Sequence, residues 1–143
     1  MTAARAAGGR GAALEVGMKL YRVILPVRGI DRAAAIYAEL LQVPGTRVSS
    51  GRHYFNCGGT TLACYDPEAD GDGELGGWRH HPNQYVYFAV GDLEATLQRA
   101  ERAGCAILAS GIQTMPWGER MFWAVDPFGN PISFVDERTV FTG

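Results

Sequence analysis

Three cysteines in 143 residues, none two apart from another, give neither a disulfide framework nor a zinc site. Cys57 and Cys64 lie roughly 13 Å apart on a hairpin at the usual strand rise, beyond disulfide reach. The chain also lacks an apolar run near the ~20 residues that a membrane span needs. Its opening segment, rich in Ala, Gly and Arg, has no apolar stretch of the kind found in signal peptides. Residues 1–18 therefore read as a disordered tail or a start placed too early, with Met18 the true first residue. Charge of one sign is missing as well. With 13 basic and 15 acidic residues the net charge is −2, which argues against a nucleic-acid binder. These absences suggest a reduced, cytoplasmic protein with neither a membrane nor a nucleic-acid partner.

What is present is an ordinary folding composition. The chain is 47% hydrophobic and 20% charged, and its length suits one domain. Nineteen glycines and seven prolines suggest many turns and several short strands. Leu20–Val27 reads as a strand. Asp31 is placed to cap a helix whose stripe is Ala33, Ile36, Tyr37, Leu40 and Leu41, ended by Pro44-Gly45. Short strands are expected near Arg47–Ser49, Arg52–Cys57 and Thr60–Tyr65, with Gly58-Gly59 as a two-residue hairpin turn.

After a polar stretch over 67–83 the pattern restarts. Gln84–Val90 is a strand, and Asp92 caps a helix carrying Leu93, Thr96, Leu97 and Ala100. Strands follow near Cys105–Ala109, Arg120–Val125 and Ile132–Val135, the last two joined by the turn Asp126-Pro127-Phe128-Gly129-Asn130. The order βαβββ thus occurs twice, about 20–66 and about 84–136, within one domain over 19–138. Val27-Arg28-Gly29-Ile30-Asp31 is echoed by Val90-Gly91-Asp92-Leu93. Such an echo suits two packed modules, since one alone would leave a sheet face uncovered.

Three segments, LPVRGIDRAAAIYAELLQVPG, YFAVGDLEATLQRAERAGC and PWGERMFWAVDPFGNPISFVD, resemble the glyoxalase / bleomycin-resistance / extradiol dioxygenase superfamily, the vicinal oxygen chelate proteins. The resemblance implies an α+β fold in which two βαβββ modules form a curled, cup-shaped mixed sheet with helices outside. In metal-dependent members, His, Glu or Gln on the first and last strands of each module hold a divalent metal. The matching positions here are Arg22, Ala63, Tyr85 and Ser133. Guanidinium is a cation, Ala has no donor, and neutral Tyr and Ser are weak ligands. No metal and no other cofactor is expected.

Strand alternation gives a separate reading of the cup. With Gly58-Gly59 as the turn, Cys57 pairs with Thr60, Phe55 with Leu62 and His53 with Cys64, all on the helix side. The cup is then lined by Arg22, Tyr54, Asn56, Thr61, Tyr65, Tyr85, Tyr87 and Ser133. One cation, aromatic walls and neutral hydrogen-bonding groups suit a small molecule, and no general base is in view. Arg22 either grips a carboxylate or enolate or serves an internal ion pair. Tyr85 and Tyr87 either stack on a ligand or fill the cup. His53 reads as structural, and His80-His81 lies in the polar stretch with no third ligand at useful spacing. The facing of Trp117, Arg120 and Trp123 stays open, because Met121–Val125 is apolar on both sides.

The resemblance implies a small-molecule binder acting as a homodimer, on an aromatic or anionic ligand. An enzyme of the same superfamily with displaced ligands, a lyase, isomerase or dioxygenase, is the alternative. A third reading is an accessory protein with a collapsed pocket.

Overall fold

The computed structural model describes residues 17–143; the expectations for residues 1–16 fall outside them. The elements follow the twice-repeated order. The first module contains β1 (Arg22–Pro26), α1 (Ile30–Leu41), β2 (Thr46–Ser49), β3 (Arg52–Cys57) and β4 (Thr60–Tyr65). The second contains β5 (Val86–Val90), α2 (Leu93–Arg102), β6 (Ala106–Ile107), β7 (Gln113–Thr114), β8 (Arg120–Val125) and β9 (Pro131–Asp136). A 3-10 turn over Glu137–Thr139 follows.

The strands form two sheets, ordered β1-β4-β3-β2 and β5-β9-β8-β6, with β7 also paired to β8. In each sheet the first and last strands of the module are parallel and the others antiparallel. This is the expected α+β arrangement of two modules, but no strand pair joins the two sheets among the described residues. The helix-facing sides of both sheets instead share one core. Leu25, Phe55 and Leu62 from the first sheet and Phe88, Phe122 and Phe134 from the second lie in it with Tyr37, Leu40, Leu93 and Ala100. The rings of Phe122, Phe134 and Phe88 stack in series at 5.2 Å, which adds to their burial.

Local chemistry sets the turns. Gly58 and Gly59 both take positive φ, 65° and 104°, as the two central residues of a mirror-image hairpin turn require. The β3–β4 register is the expected one: Cys57 with Thr60, Phe55 with Leu62, His53 with Cys64. Asp92 caps α2, its Oδ1 accepting from Ala95 N–H at 3.0 Å. Asp126 closes the Asp-Pro-Phe-Gly-Asn turn by accepting from the N–H groups of Phe128 and Asn130.

Other expectations are corrected. The N-cap of α1 is Gly29, not Asp31. Asp31 sits inside the first turn and pairs with Arg47, while Gly29 N–H donates to Asp66 Oδ2 at 3.0 Å. β1 and β5 are shorter than expected, so Tyr85 precedes its strand. The strand expected over Cys105–Ala109 is reduced to Ala106–Ile107, since Ala109 takes a positive φ of 52° that breaks extended backbone. β7 was not expected.

The stretch 67–83 is tied down rather than loose. Asp70 accepts from Ser49 Oγ and pairs with Arg52. His80 N–H donates to Asn130 Oδ1 at 3.0 Å.

A buried polar cluster links the modules. Tyr37 Oη on α1 donates to Asp126 Oδ2 at 2.6 Å, and Asn130 Nδ2 donates to the Pro26 carbonyl at 2.7 Å. Burial, and then the Asp126 carboxylate, raises the Tyr37 hydroxyl well above its usual range. Burial also raises the Asp126 carboxyl, although the donors from Tyr37, Phe128 and Asn130 pull the other way.

Candidate functional site

The eight expected cup residues fall into groups because the two sheets share a core on their helix sides. Arg22, Thr61 and Asn56 form one cross-strand row of the first sheet. Arg22 is stacked and has no ion pair among the described residues, its guanidinium 4.9 Å from the Tyr21 ring centre and 5.1 Å from that of Tyr54. Asn56 Oδ1 accepts from Gly59 N–H and so serves the hairpin turn. Tyr65 belongs to a cluster that alternation did not reveal. Arg52 lies 4.3 Å over its ring, Trp78 meets it edge-on, and its hydroxyl donates to Asp72. That donation raises the Tyr65 hydroxyl above its ordinary range.

On the second sheet Tyr87, Ser133 and Trp123 form a cross-strand row. This settles the facing of Trp123, since directly paired residues share a face. Tyr87 is 56% exposed, whereas Ser133 is fully buried. The Ser133 hydroxyl donates to the Phe122 carbonyl at 3.0 Å. Arg120 turns to the N-terminal end of α2, pairing with Glu94 and Asp136. Trp117 is exposed, with its Nε1–H on Glu119.

Three of the eight residues do converge. Thr61, Tyr85 and Tyr87 line a crevice of about 420 Å³ together with Val23, Leu62 and Phe88. The Tyr85 and Tyr87 rings are 6.1 Å apart, within the range of interacting aromatics. An adjoining cavity of about 520 Å³ shares Cys57, Tyr87 and Phe88 and reaches Asn56 and Arg99. Arg22, Tyr54, Tyr65 and Ser133 line neither.

His80 also lines the crevice, and alternation had no means of placing it there. Its Nε2 is 2.7 Å from the Ile24 carbonyl, 56 residues away in sequence. His53 lies on the helix side as expected, with Nε2 on the Pro44 carbonyl.

The positions where metal-dependent relatives carry ligands do not fit a divalent ion. Arg22 is a cation held over two rings, Ala63 offers no donor, and Ser133 gives its hydroxyl proton to Phe122. Among the described residues no three His, Cys, Asp or Glu side chains cluster in a way that could hold a metal. The thiols are poor nucleophiles too. Burial pushes Cys64 and Cys105 up to about 12 and raises Cys57.

The family model for the Glyoxalase/Bleomycin resistance protein/Dioxygenase superfamily matches residues 19–134. The chain belongs to this superfamily. Solved structures of similar fold include a glyoxalase/bleomycin resistance protein from Albidiferax ferrireducens T118, with a TM-score of 0.69 at 17% identity, covering 80% of this chain and 95% of that one. A glyoxalase/bleomycin resistance protein/dioxygenase family enzyme from Burkholderia phytofirmans PsJN has a TM-score of 0.68 at 15% identity, covering 83% and 98%. A lactoylglutathione lyase from Agrobacterium tumefaciens has a TM-score of 0.60 at 18% identity, covering 84% and 94%. At these identities the likeness carries the superfamily's fold and no particular activity. No curated protein matches the chain.

Proposed function

We propose that this superfamily member binds a small aromatic or anionic molecule without a metal. The observation that carries the reading is the convergence of Thr61, Tyr85 and Tyr87 on one crevice, combined with non-ligating residues at the family's metal positions. Aromatic walls with a few polar groups are the usual make-up of a small-molecule site. Arg22, paired in register with Thr61, is the cation this reading assigns to an anionic ligand.

The protein acts as a homodimer in this proposal. The first sheet exposes Arg22 and Ile24 and the second exposes Tyr87. A second copy facing its second sheet to the first would bring the separated residues into one cup. A cytoplasmic location accords with three free thiols, and no helix among the described residues is long and apolar enough to cross a membrane.

Metal analysis of the untagged protein, paired with thermal-shift measurements against phenol and benzoate, tests the reading. The expected result is no stoichiometric divalent ion and a raised Tm with at least one of the two probes. A stoichiometric ion, or no shift with either probe, would sink it. Light scattering checks the dimer, and a monomer at working concentration removes that part of the proposal.

A further inference from the structure

The stretch 67–83 builds a second concavity apart from the crevice. Its last third, with Arg28 and Arg32 near the start of α1 and the Pro127-Phe128 turn of the second module, lines a cavity of about 230 Å³. Pockets for drug-sized ligands run to ~300–1,000 Å³, so this one suits a single charged group. It shares no lining residue with the crevice.

Arg28, Arg32 and Arg79 line this cavity, and no Asp or Glu does. Each is held against the cavity's own walls or the turn beside them. Arg28 Nη2 donates to the Gly76 carbonyl at 2.9 Å, and the Arg32 guanidinium lies 5.3 Å from the Phe128 ring centre. Gly129, with a φ of 89°, lets the Arg79 stem lie on the turn, since a Cβ there would come within 2.7 Å of Arg79 Cδ. All three arginines are exposed, so a solute can reach them. Arg28 pairs with Glu68 at 3.5 Å. Arg32 and Arg79 have no ion pair among the described residues.

Three guanidiniums less the Glu68 carboxylate leave a local charge of +2 on a chain whose net charge is −2. Like charges gathered around so small a cavity repel one another, and a dianion relieves that repulsion. A guanidinium presents its N–H groups in a planar fork that matches anionic oxygens two at a time. A phosphate group carries about −1.5 to −2 at neutral pH on three acceptor oxygens, enough to meet more than one fork. The Trp78 ring, 45% exposed, and the Phe128 ring add apolar surface beside the cations.

We infer that Arg28, Arg32 and Arg79 bind a phosphate dianion, free or as the monoester of a small aromatic molecule, at a site separate from the crevice. The inference goes beyond the crevice reading and does not depend on it.

Calorimetric titration of the full chain in chloride buffer with inorganic phosphate, phenyl phosphate and acetate tests it. The proteins compared are the wild type, Arg32→Gln, Arg79→Gln and Arg102→Gln. Arg102 pairs with Glu39 and does not line the cavity, so its variant loses the same charge elsewhere. Amide spectra report that each variant is folded. Phosphate should bind the wild type saturably and more tightly than singly charged acetate. Arg32→Gln and Arg79→Gln should each weaken phosphate about 5- to 10-fold, the worth of one hydrogen bond. Arg102→Gln should stay within about 2-fold. Phosphate should shift the Gly76 and Gly77 amides and the Trp78 indole, not Tyr85 and Tyr87. Tighter binding of phenyl phosphate than of phosphate assigns the site to an ester, and equal binding assigns it to the free ion.

No saturable phosphate binding, acetate binding as tightly as phosphate, or a loss in Arg102→Gln equal to that in the other two variants would overturn the inference. None of these outcomes bears on phenol or benzoate in the crevice, so the two sites fail separately.

Discussion

Replacing Tyr37 by Phe removes one hydroxyl from a fully buried ring and tests the link between the modules. The lost bond is the 2.6 Å donation to Asp126 Oδ2. A hydrogen bond to a charged group contributes about 1.5–3 kcal/mol. Asp126 keeps donors from Phe128 N–H, Asn130 N–H and Asn130 Nδ2, so the loss belongs toward the lower part of that range, about 2 kcal/mol. At this chain length that is a fall in Tm of roughly 4–8 °C.

The effect has a sign in pH. The folded-state pKa of Asp126 is raised by burial, so its buried charge is a burden above that pKa, relieved as pH falls and the carboxyl is protonated. Tyr37 eases the burden by donating to the carboxylate. The cost of Tyr37→Phe should therefore be largest at pH 8 and shrink toward acid. Urea unfolding at pH 8 and pH 5, alone and in a cycle with Asp126→Asn, measures both the loss and the coupling. A loss under about 0.5 kcal/mol at pH 8, or one that grows toward acid, would refute the reasoning.

Other expectations follow from single contacts. Asp92→Ala should cost about 1 kcal/mol in chemical denaturation through loss of its cap bond, while Asp31→Ala, which caps nothing, should stay within about 0.5 kcal/mol. Asp136 is buried and held below the usual carboxylate range, first by hydrogen bonding from the Arg138 side chain. Its stabilising contribution is present above the unfolded carboxylate pKa and is lost as pH falls through the lower folded value, so Asp136→Asn should flatten the acid limb of the stability profile. Under native conditions a thiol reagent should modify half-buried Cys57 before Cys64 or Cys105; equal rates for all three would contradict the described burial.

Much of the fold was legible because the decisive chemistry is local. Gly58-Gly59 sets the β3–β4 register from the turn between the two strands, and Asp92 and Asp126 act on backbone groups two to four residues away. Asp31 misled because Gly29, with a φ of 91°, takes the cap position ahead of it. The facing of Trp123 needed its cross-strand partner Ser133, since β8 is apolar on both sides.

The site was only partly legible for the same reason. Alternation assigns a residue to a face, and three of the residues it assigned, Thr61, Tyr85 and Tyr87, line one crevice together with Val23, Leu62 and Phe88 of the opposite face. It does not say how two sheets sit on a shared core, which is what leaves Arg22, Tyr54 and Tyr65 outside the crevice. His80 was missed because it reaches the site through an irregular stretch and a carbonyl 56 residues away.

The most direct test of metal-free binding is a chemical-shift titration of EDTA-treated protein with phenol. The account predicts saturable shifts centred on Thr61, His80, Tyr85 and Tyr87, unchanged when a divalent ion is added. Shifts that appear only after the ion is added, or none at these residues, would contradict it.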